Sequence, residues 1–258
     1  MPDFAMSMAA SLTAADVEAI ERATLTAVAP ERVVALEGWL LPLDTGTVGR
    51  AHSAVPLHHD VHDPALIDAI AQRYHEAGLR PVFRLPDLPA FDAWWPALAA
   101  RGFRREQPTL TQVGSLDGLL TLASHTEGVS LDARPDGAWM AMFLGEGLDP
   151  VDGASRSKAL SRAEGTLFAS LREDGETLAC GAACYAQGWL SMHGLRTAAR
   201  QRGRGLAGRL IRAMAQEAQR RGMDRAFLQV DGANAPALAL YSRAGMTSAW
   251  SYAYWRVG

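Results

Sequence analysis

The 258-residue sequence has two cysteines, no long apolar run and, in its first 125 residues, no lysine. The cysteines, Cys180 and Cys184, lie in one apolar segment that is typical of a β-strand. Four residues along a strand span about 13 Å, which is too far for a disulfide. We therefore expect two buried free thiols, which suits a reducing compartment.

The absence of a long apolar run bears on location. No run approaches the ~20 residues of a membrane-spanning helix. The N-terminal stretch also lacks the basic residues that precede the apolar part of a secretory signal. Because 48% of the residues are hydrophobic, the chain can fill one large core or two ordinary ones. The sequence therefore predicts a cytoplasmic globular protein without a membrane partner.

Charge is unevenly distributed along the chain. Residues 1–125 carry nine arginines against fifteen acids, a net charge of −6, whereas the remainder has a net charge of +3. The second half is therefore the better candidate for binding an anion. We predict no nucleic-acid partner, because the basic excess is local and no zinc-finger spacing or aromatic RNA-binding motif accompanies it.

Hydrophobic periodicity predicts an α+β fold, with mixed, mostly antiparallel central sheets flanked by helices. In the first half we predict a helix over residues 11–29 with a cap at Thr13, followed by two strands around a turn at residues 44–46. Next we predict a helix that begins at Asp63-Pro64 and ends at Gly78. A strand, a short helix and another strand complete this half.

A polar segment, residues 114–128, is predicted as a domain boundary. Beyond it we predict a strand, two helices and three strands joined by turns at residues 174–175 and 187–188, then helix, strand, helix, strand. Both halves end in the same element order, which suggests an internal duplication. We therefore predict two domains, residues 1–120 and 121–258.

One glycine-rich segment, RGRGLAGRL at residues 202–210, lies between a predicted strand and a predicted helix. Gly203, Gly205 and Gly208 have the spacing G-x-G-x-x-G. Glycines let the backbone approach a ligand closely, and the free N–H groups of a helix's first turn favour an anion. Arginines at positions 200, 202, 204 and 209 reinforce that preference, although a surface turn with solvated arginines is an alternative that needs no ligand.

Two common phosphate-binding loops do not fit this segment. A Walker A loop is excluded because no Gly-Lys-Ser/Thr follows the glycines. A Rossmann turn is favoured by Asp231, which ends the next strand where a ribose-binding acid would stand. However, antiparallel hairpins precede the motif, and too little chain follows Asp231 for the remaining βαβ units.

Two motifs together resemble the GNAT superfamily of N-acetyltransferases. The segment Arg202–Ala207 resembles the family's [R/Q]-x-x-G-x-[G/A] loop. The segment Asn234–Met246 resembles its Asn-x-x-A-x-x-L-Y-x-x-x-G-F element, with Met246 replacing the usual Phe. The resemblance covers about residues 129–258. The first half is similar only in element order and lacks the loop, so the resemblance implies two GNAT-like domains in tandem, the first of them degenerate.

The resemblance implies acetyl-CoA as co-substrate, no metal, and transfer of acetyl to a primary amine of a small molecule or peptide. A catalytically silent acyl-CoA-binding or regulatory protein is the alternative. In the family the loop amides hold the pyrophosphate, and the strand before the loop pairs with pantetheine, with the Leu195 N–H at the thioester carbonyl. The implied cofactor-binding residues are Leu195, Arg196, Thr197, Arg202, Gly203, Arg204, Gly205, Leu206, Ala207, Gly208 and Asn234.

Two side chains of the second motif, Asn234 and Tyr241, are seven residues apart and share a helix face. Asn234 also stands where a helix cap would, so a cap and a ligand contact are both open. The family's tyrosine acts as general acid near the thioester sulfur, and a half-buried core tyrosine is the alternative for Tyr241. Because a phenol with a pKa near ~10 is a weaker acid than a thiol near ~8.5, a hydrogen bond to the departing thiolate is favoured.

The acceptor amine must lose a proton, and His193 is the candidate general base because its unperturbed pKa is near ~6.5. A structural histidine is the alternative there, and Glu146 and Asp231 are weaker candidates for the base.

The histidines at positions 58, 59 and 62 do not predict a metal site, since adjacent residues of a strand point to opposite faces. The sequence predicts neither the acceptor nor the oligomeric state.

Overall fold

A computed structural model describes residues 12–60, 63–145 and 149–258. The elements up to residue 120 are α1 (Ala14–Val28), β1 (Arg32–Leu36), β2 (Trp39–Leu43), β3 (Val55–Pro56), α2 (Leu66–Glu76), β4 (Val82–Pro86), α3 (Trp94–Ala100), β5 (Phe103–Ser115) and α4 (Leu116–Leu120). Those that follow are β6 (Val129–Asp132), α5 (Gly137–Ala141), α6 (Pro150–Ser161), β7 (Thr166–Glu173), β8 (Glu176–Ala186), β9 (Trp189–Thr197), α7 (Leu206–Arg220), β10 (Arg225–Asp231), α8 (Ala235–Arg243) and β11 (Thr247–Val257).

The described strands form two sheets. One has three strands in the order β1-β2-β3, and the other has eight in the order β4-β11-β5-β10-β9-β8-β7-β6. Neighbouring strands of the large sheet are antiparallel except β9 and β10, which are parallel. The α+β fold class with mostly antiparallel sheets is confirmed.

The large sheet crosses the predicted domain boundary at residues 120 and 121. Strand β5 lies between β10 and β11, and β11 lies between β5 and β4. Thus the last strand of each half pairs with the last two strands of the other, for example Val113 with Thr247 and Arg256 with Val82. The two-domain division stays a prediction, but the pairing shows that the halves share backbone hydrogen bonds as well as side-chain contacts.

The two halves repeat one order of elements. In the first, the β1–β3 hairpins lead through a parallel bridge, Ala54 to Phe83, into β4. In the second, the β7–β9 hairpins lead through a parallel pairing into β10. A helix follows each hairpin set and another precedes each final strand. The order agrees with the predicted duplication, whose evolutionary interpretation stays a prediction.

Local sequence explains most elements. Thr13 and Asp16 form the capping box that begins α1. The predicted apolar positions of α7 are buried, and Gly222, with φ +76°, follows its end. Cys180 and Cys184 are free and buried, as predicted. Burial raises the pKa of the Cys180 thiol to about 12. Within the described residues, no helix is long and apolar enough to cross a membrane.

The sequence prediction was wrong in two places. The tight hairpin turn lies at Glu37 and Gly38, with φ of +43° and +80°, and not at residues 44–46. A glutamate in the left-handed region masks the turn, because it lacks the usual Asn or Asp signal. The predicted boundary segment also contains α4, which Ser115 caps through the N–H of Gly118.

Helix α1 joins the two halves from one face of the sheet. Its apolar side packs on Trp189 and Phe227 of the second half. A buried ion pair connects it to β4, with Arg84 Nη2 lying 2.7 Å from Glu21 Oε2. Removing one partner of such a pair leaves an uncompensated buried charge, which is strongly destabilising.

Candidate functional site

The site begins where β9 and β10 separate. Their parallel pairing is limited to three residues of each strand and ends at Met192 and Leu228. Strand β9 continues to Thr197 but pairs only with β8 there, so the described residues offer no strand partner on its other side. Backbone groups of the last five β9 residues therefore border an open gap, into which an extended ligand can hydrogen-bond.

Strand β9 bulges at this gap. Cys180 pairs with Arg196 and Ala182 pairs with His193, so three steps on β9 match two on β8. Gly194 adopts a φ of +59°, which a residue with a side chain rarely takes. A β-bulge releases a residue from the ladder and redirects its backbone, and this one does so beside Leu195.

The glycine loop leads from the gap into α7. Gly203 and Gly205 have φ values of +78° and +73°, and Gly205 begins α7 without any side-chain cap. The amides of the first turn of α7 thus have no intrahelical partner and carry the positive end of the helix dipole. Gly208 differs, because a Cβ there would lie 2.6 Å from the carbonyl oxygen of Leu122. Two glycines are therefore required by backbone conformation and the third by packing.

The arginines around the loop divide into two kinds. Arg204 pairs with Glu173 at 3.1 Å, and Arg209 donates to the carbonyl of Glu127. Arg200 and Arg202 are exposed and make no ion pair with the described residues. Arg200 and Arg202 are therefore the two arginines of this group that remain available to bind an anion at the loop.

A pocket of about 280 Å³ opens beside the β9 gap. Both halves of the chain line it. Its described lining consists of Thr47, Val48, Gly49, Arg50, Gln107, Thr109, Arg156, Met192, His193, Gly194, Leu195, Gln229, Val230, Asp231, Asn234, Ala237, Tyr241, Tyr252, Tyr254 and Arg256. The structure thus brings together five residues that the sequence analysis named, His193, Leu195, Asp231, Asn234 and Tyr241. The glycine loop and Arg196 lie outside this lining.

Tyr241 is 7% exposed and lines the pocket. Burial raises its pKa to about 12, so the hydroxyl remains protonated at neutral pH. None of the described residues forms a hydrogen bond with it. Asn234 accepts the N–H of Ala237 at 3.2 Å, which confirms the helix cap, and it also borders the pocket. Tyr241 therefore presents a free hydrogen-bond donor to the pocket.

His193 is 4% exposed, and its Nε2 lies 2.9 Å from the hydroxyl oxygen of Ser191. Burial, aided by the charge of Arg50, lowers its pKa to about 3. The imidazole is therefore neutral but a very weak base, which argues against the role predicted from its unperturbed pKa. Asp231 is the one carboxylate among the described lining residues.

Other sequence predictions fall elsewhere. Glu146 and His62 lie outside the described residues. Within the part of the chain that the structure describes, no group of three or more His, Cys, Asp and Glu side chains is arranged to hold a metal ion. Arg196 stacks its guanidinium 4.5 Å from the ring centre of Phe143, and Thr197 pairs with Ala179 on β8.

Sequence reasoning expected pocket walls from the first half and from the helices between residues 139 and 164, but it named no residue of those walls and none of β11. The unnamed residues include Arg50, Tyr252, Tyr254 and Arg256, together with Arg156 on α6. No local motif marks these residues. Pairing of β11 with β4 and β5 positions Tyr252, Tyr254 and Arg256, whereas Arg50 and Arg156 come from segments outside the sheet. The negative net charge of the first half also gave no sign that it contributes an arginine, Arg50, to the pocket.

Comparisons with known proteins bear on the family and the fold. A family model described as "Probable histone acetyltransferase Rv0428c C-terminal" matches residues 14–255. A GCN5-related N-acetyltransferase from Kribbella flavida has a TM-score of 0.66 at 19% identity, with 92% of this chain and 94% of that chain covered. No curated protein matches the chain.

Two further solved structures share the fold. A tandem GNAT protein from the clavulanic acid biosynthesis pathway has a TM-score of 0.60 at 14% identity, with 96% of this chain and 97% of that chain covered. A GCN5-related N-acetyltransferase from Sphaerobacter thermophilus has a TM-score of 0.57 at 18% identity, with coverage of 95% and 93%. These likenesses show that the chain has the GNAT fold.

Proposed function

Because the chain belongs to the family of the Rv0428c C-terminal region, a probable histone acetyltransferase, we propose that it transfers acetyl from acetyl-CoA to a primary amine by direct attack. The open, bulged edge of β9 beside the uncapped N-terminus of α7 is the observation that carries this proposal. It combines a strand edge for an extended arm with an anion site at one end of that arm.

We place the pyrophosphate of acetyl-CoA at the loop and the first turn of α7. Free amides and the helix dipole stabilise an anion there, and the exposed Arg200 and Arg202 add charge. The amide-containing pantetheine arm then pairs with Leu195 to Thr197 as an additional strand. This leads the thioester into the pocket.

At the thioester, the proposal assigns the Leu195 N–H to the carbonyl oxygen. Attack by the amine makes that carbon tetrahedral and moves charge onto the oxygen. A backbone donor fixed by a bulge stabilises the charged oxygen more than the ground-state carbonyl, which lowers the barrier. The neighbouring glycine, Gly194, allows the bulge to form.

In this proposal the Tyr241 hydroxyl donates a hydrogen bond to the departing sulfur. As the tetrahedral intermediate collapses, the C–S bond breaks and charge develops on sulfur. A phenol with its pKa raised to about 12 remains a donor throughout and stabilises the thiolate by a hydrogen bond. It does not transfer its proton before the charge has formed, since it is a weaker acid than the thiol.

The attacking amine must give up a proton, and the proposal assigns this to Asp231, directly or through water. His193 is too weak a base for that step with a pKa of about 3. We assign it instead a positioning role, in which its bond to Ser191 holds β9 next to the bulge. Residues 1–120 supply a pocket wall without a CoA site of their own.

Release of free thiol from acetyl-CoA across a panel of primary amines tests this function, with mass spectrometry of the acetylated product. We expect amine-dependent thiol release and a mass increase of one acetyl group. CoA binding without thiol release for any amine would favour the silent acyl-CoA-binding alternative. A folded protein that does not bind CoA would contradict both.

A further inference from the structure

The pocket beside the β9 gap contains more positive than negative charge. Three arginines line it, Arg50, Arg156 and Arg256, against the single carboxylate of Asp231 among the described lining residues. They come from separate parts of the chain, before β3, on α6 and on β11. The fold therefore concentrates cationic side chains at a place where no local sequence run is basic.

Two of these arginines already have partners. Arg156 Nε lies 2.6 Å from Asp152 Oδ2. Arg256 Nη1 lies 3.1 Å from Glu106 Oε2, and its guanidinium stacks on the ring of Tyr254. Their charges are largely compensated within the protein.

Arg50 has no such compensation. It forms no ion pair or hydrogen bond with the described residues, and its Nε is buried without a partner. Its charge reaches the buried His193, whose pKa it helps to lower. Arg50 as a whole is half-buried, and a buried guanidinium nitrogen without a partner costs free energy unless a ligand or water pairs with it.

We infer that the acceptor amine carries an anionic group, a carboxylate or a phosphate, that pairs with Arg50. This inference rests on the proposed function and names its substrate class. The guanidinium fork matches both anions in bidentate geometry. With the anion on Arg50, the amine end of the same molecule extends toward Asp231 and the bulge. A lysine-rich peptide fits poorly, because its additional cations would face the uncompensated charge of Arg50.

The test compares primary amines matched in length, with acetyl-CoA as donor and at equal concentrations of the neutral amine form. Glycine, β-alanine and 4-aminobutyrate are measured against their amides, O-phosphoethanolamine against ethanolamine, and a lysine-rich peptide is included. We expect at least one anionic member to exceed its neutral partner in kcat/KM by about tenfold or more, as for a charge-assisted hydrogen bond. Equal kcat/KM values within every pair would overturn the inference.

The variant Arg50→Gln should remove this preference, while CoA affinity stays unchanged. The matched control is Arg80→Gln, an exposed arginine outside the pocket, which should keep the preference. A preference that survives Arg50→Gln would overturn the assignment to Arg50. Weaker CoA binding in this variant, with the amine preference intact, would assign Arg50 to the cofactor instead.

A binding measurement separates this inference from the transferase proposal. Calorimetry on the CoA-saturated protein compares each N-acetylated acid of the series, starting with N-acetylglycine, with its amide. Arg50-dependent binding of the acids without any turnover would support the anion site and contradict the transferase. Turnover with no preference for an anion would support the transferase and contradict the anion site. Neither binding nor turnover would contradict both.

Discussion

The junction between β3 and α2 and the junction between β9 and α7 occupy the same place in the repeated element order but differ in chemistry. The first lacks glycine, and in it the Asp63 side chain accepts the N–H of Ala65. The second has Gly203 and Gly205 at positive φ and begins α7 without a side-chain cap. Neither helix start has a side-chain cap, but the Asp63 carboxylate accepts an amide just before α2 begins, whereas residues 198–205 contain no acid that could compete with an anionic ligand.

The helices before the two final strands, α3 and α8, also differ in whether they present a polar group to a ligand. Tyr241 of α8 stands four residues before Gly245, and Leu98 of α3 stands four residues before Gly102. Leu98 is completely buried, whereas Tyr241 reaches the pocket. One half therefore keeps a donor where the other only packs, which predicts a single active site per chain.

The largest expected effect comes from removing that donor. Tyr241→Phe keeps the ring and its packing, so folding should be preserved. If the hydroxyl stabilises the departing thiolate, kcat should fall by roughly 10²–10⁴-fold with little change in CoA affinity. Stopped-flow measurement of the chemical step checks this. A lower melting temperature with normal turnover would instead show a purely structural tyrosine.

Ligand binding should distinguish the two junctions directly. At 100 times its Kd, CoA should stabilise the fold by about 2.7 kcal/mol, whereas NAD should not stabilise it. Thermal unfolding measures the shift, and calorimetric titration counts the sites. We expect one CoA per chain. Two sites per chain would mean that the first junction also binds, and a shift with NAD alone would contradict the acetyl-CoA assignment.

The loop glycines can be exchanged to imitate the first junction. Gly203→Val and Gly205→Val each force a β-branched residue to positive φ, which costs at least about 1–2 kcal/mol or displaces the backbone. CoA affinity should fall by about tenfold or more in calorimetry. Gly78→Val is the matched control, because Gly78 also has open space and a φ of +70°. It should lose stability but keep CoA affinity, and equal affinity in all three variants would remove the loop from the site.

The smallest expected effect on activity concerns His193, whose titration should instead change stability. Its folded pKa of about 3 is below the unfolded value near ~6.5, so the unfolded chain binds the extra proton between these values. Stability should therefore decrease as pH falls from about 6.5 toward 3, with a slope of up to about 1.4 kcal/mol per pH unit from this group. His193→Gln should reduce that slope in denaturant unfolding. An inflection in kcat/KM near pH 6.5 that disappears in His193→Gln would restore the histidine as general base.

Much of the second half was predictable because its signals are local. The turns at Asp174-Gly175 and Gln187-Gly188, the α7 face and the bounds of β11 follow from periodicity and turn residues, and the structure confirms them. The hairpin turn at Glu37-Gly38 was missed because a glutamate at positive φ carries no turn signal. Helix α4 was missed because five residues are too few for a helical period to be visible.

By itself, the sequence determined the glycine loop, the helix that follows it and the Asn234 to Tyr241 face. These depend on the φ values open to glycine and on the 3.6-residue period, which neighbouring residues set. Only the tertiary structure decided that β5 and β11 each pair with strands of the other half. It also decided which arginines surround the pocket and why the pKa of His193 is low. Strand pairing over more than a hundred residues and desolvation by distant side chains leave no pattern in any short stretch of sequence.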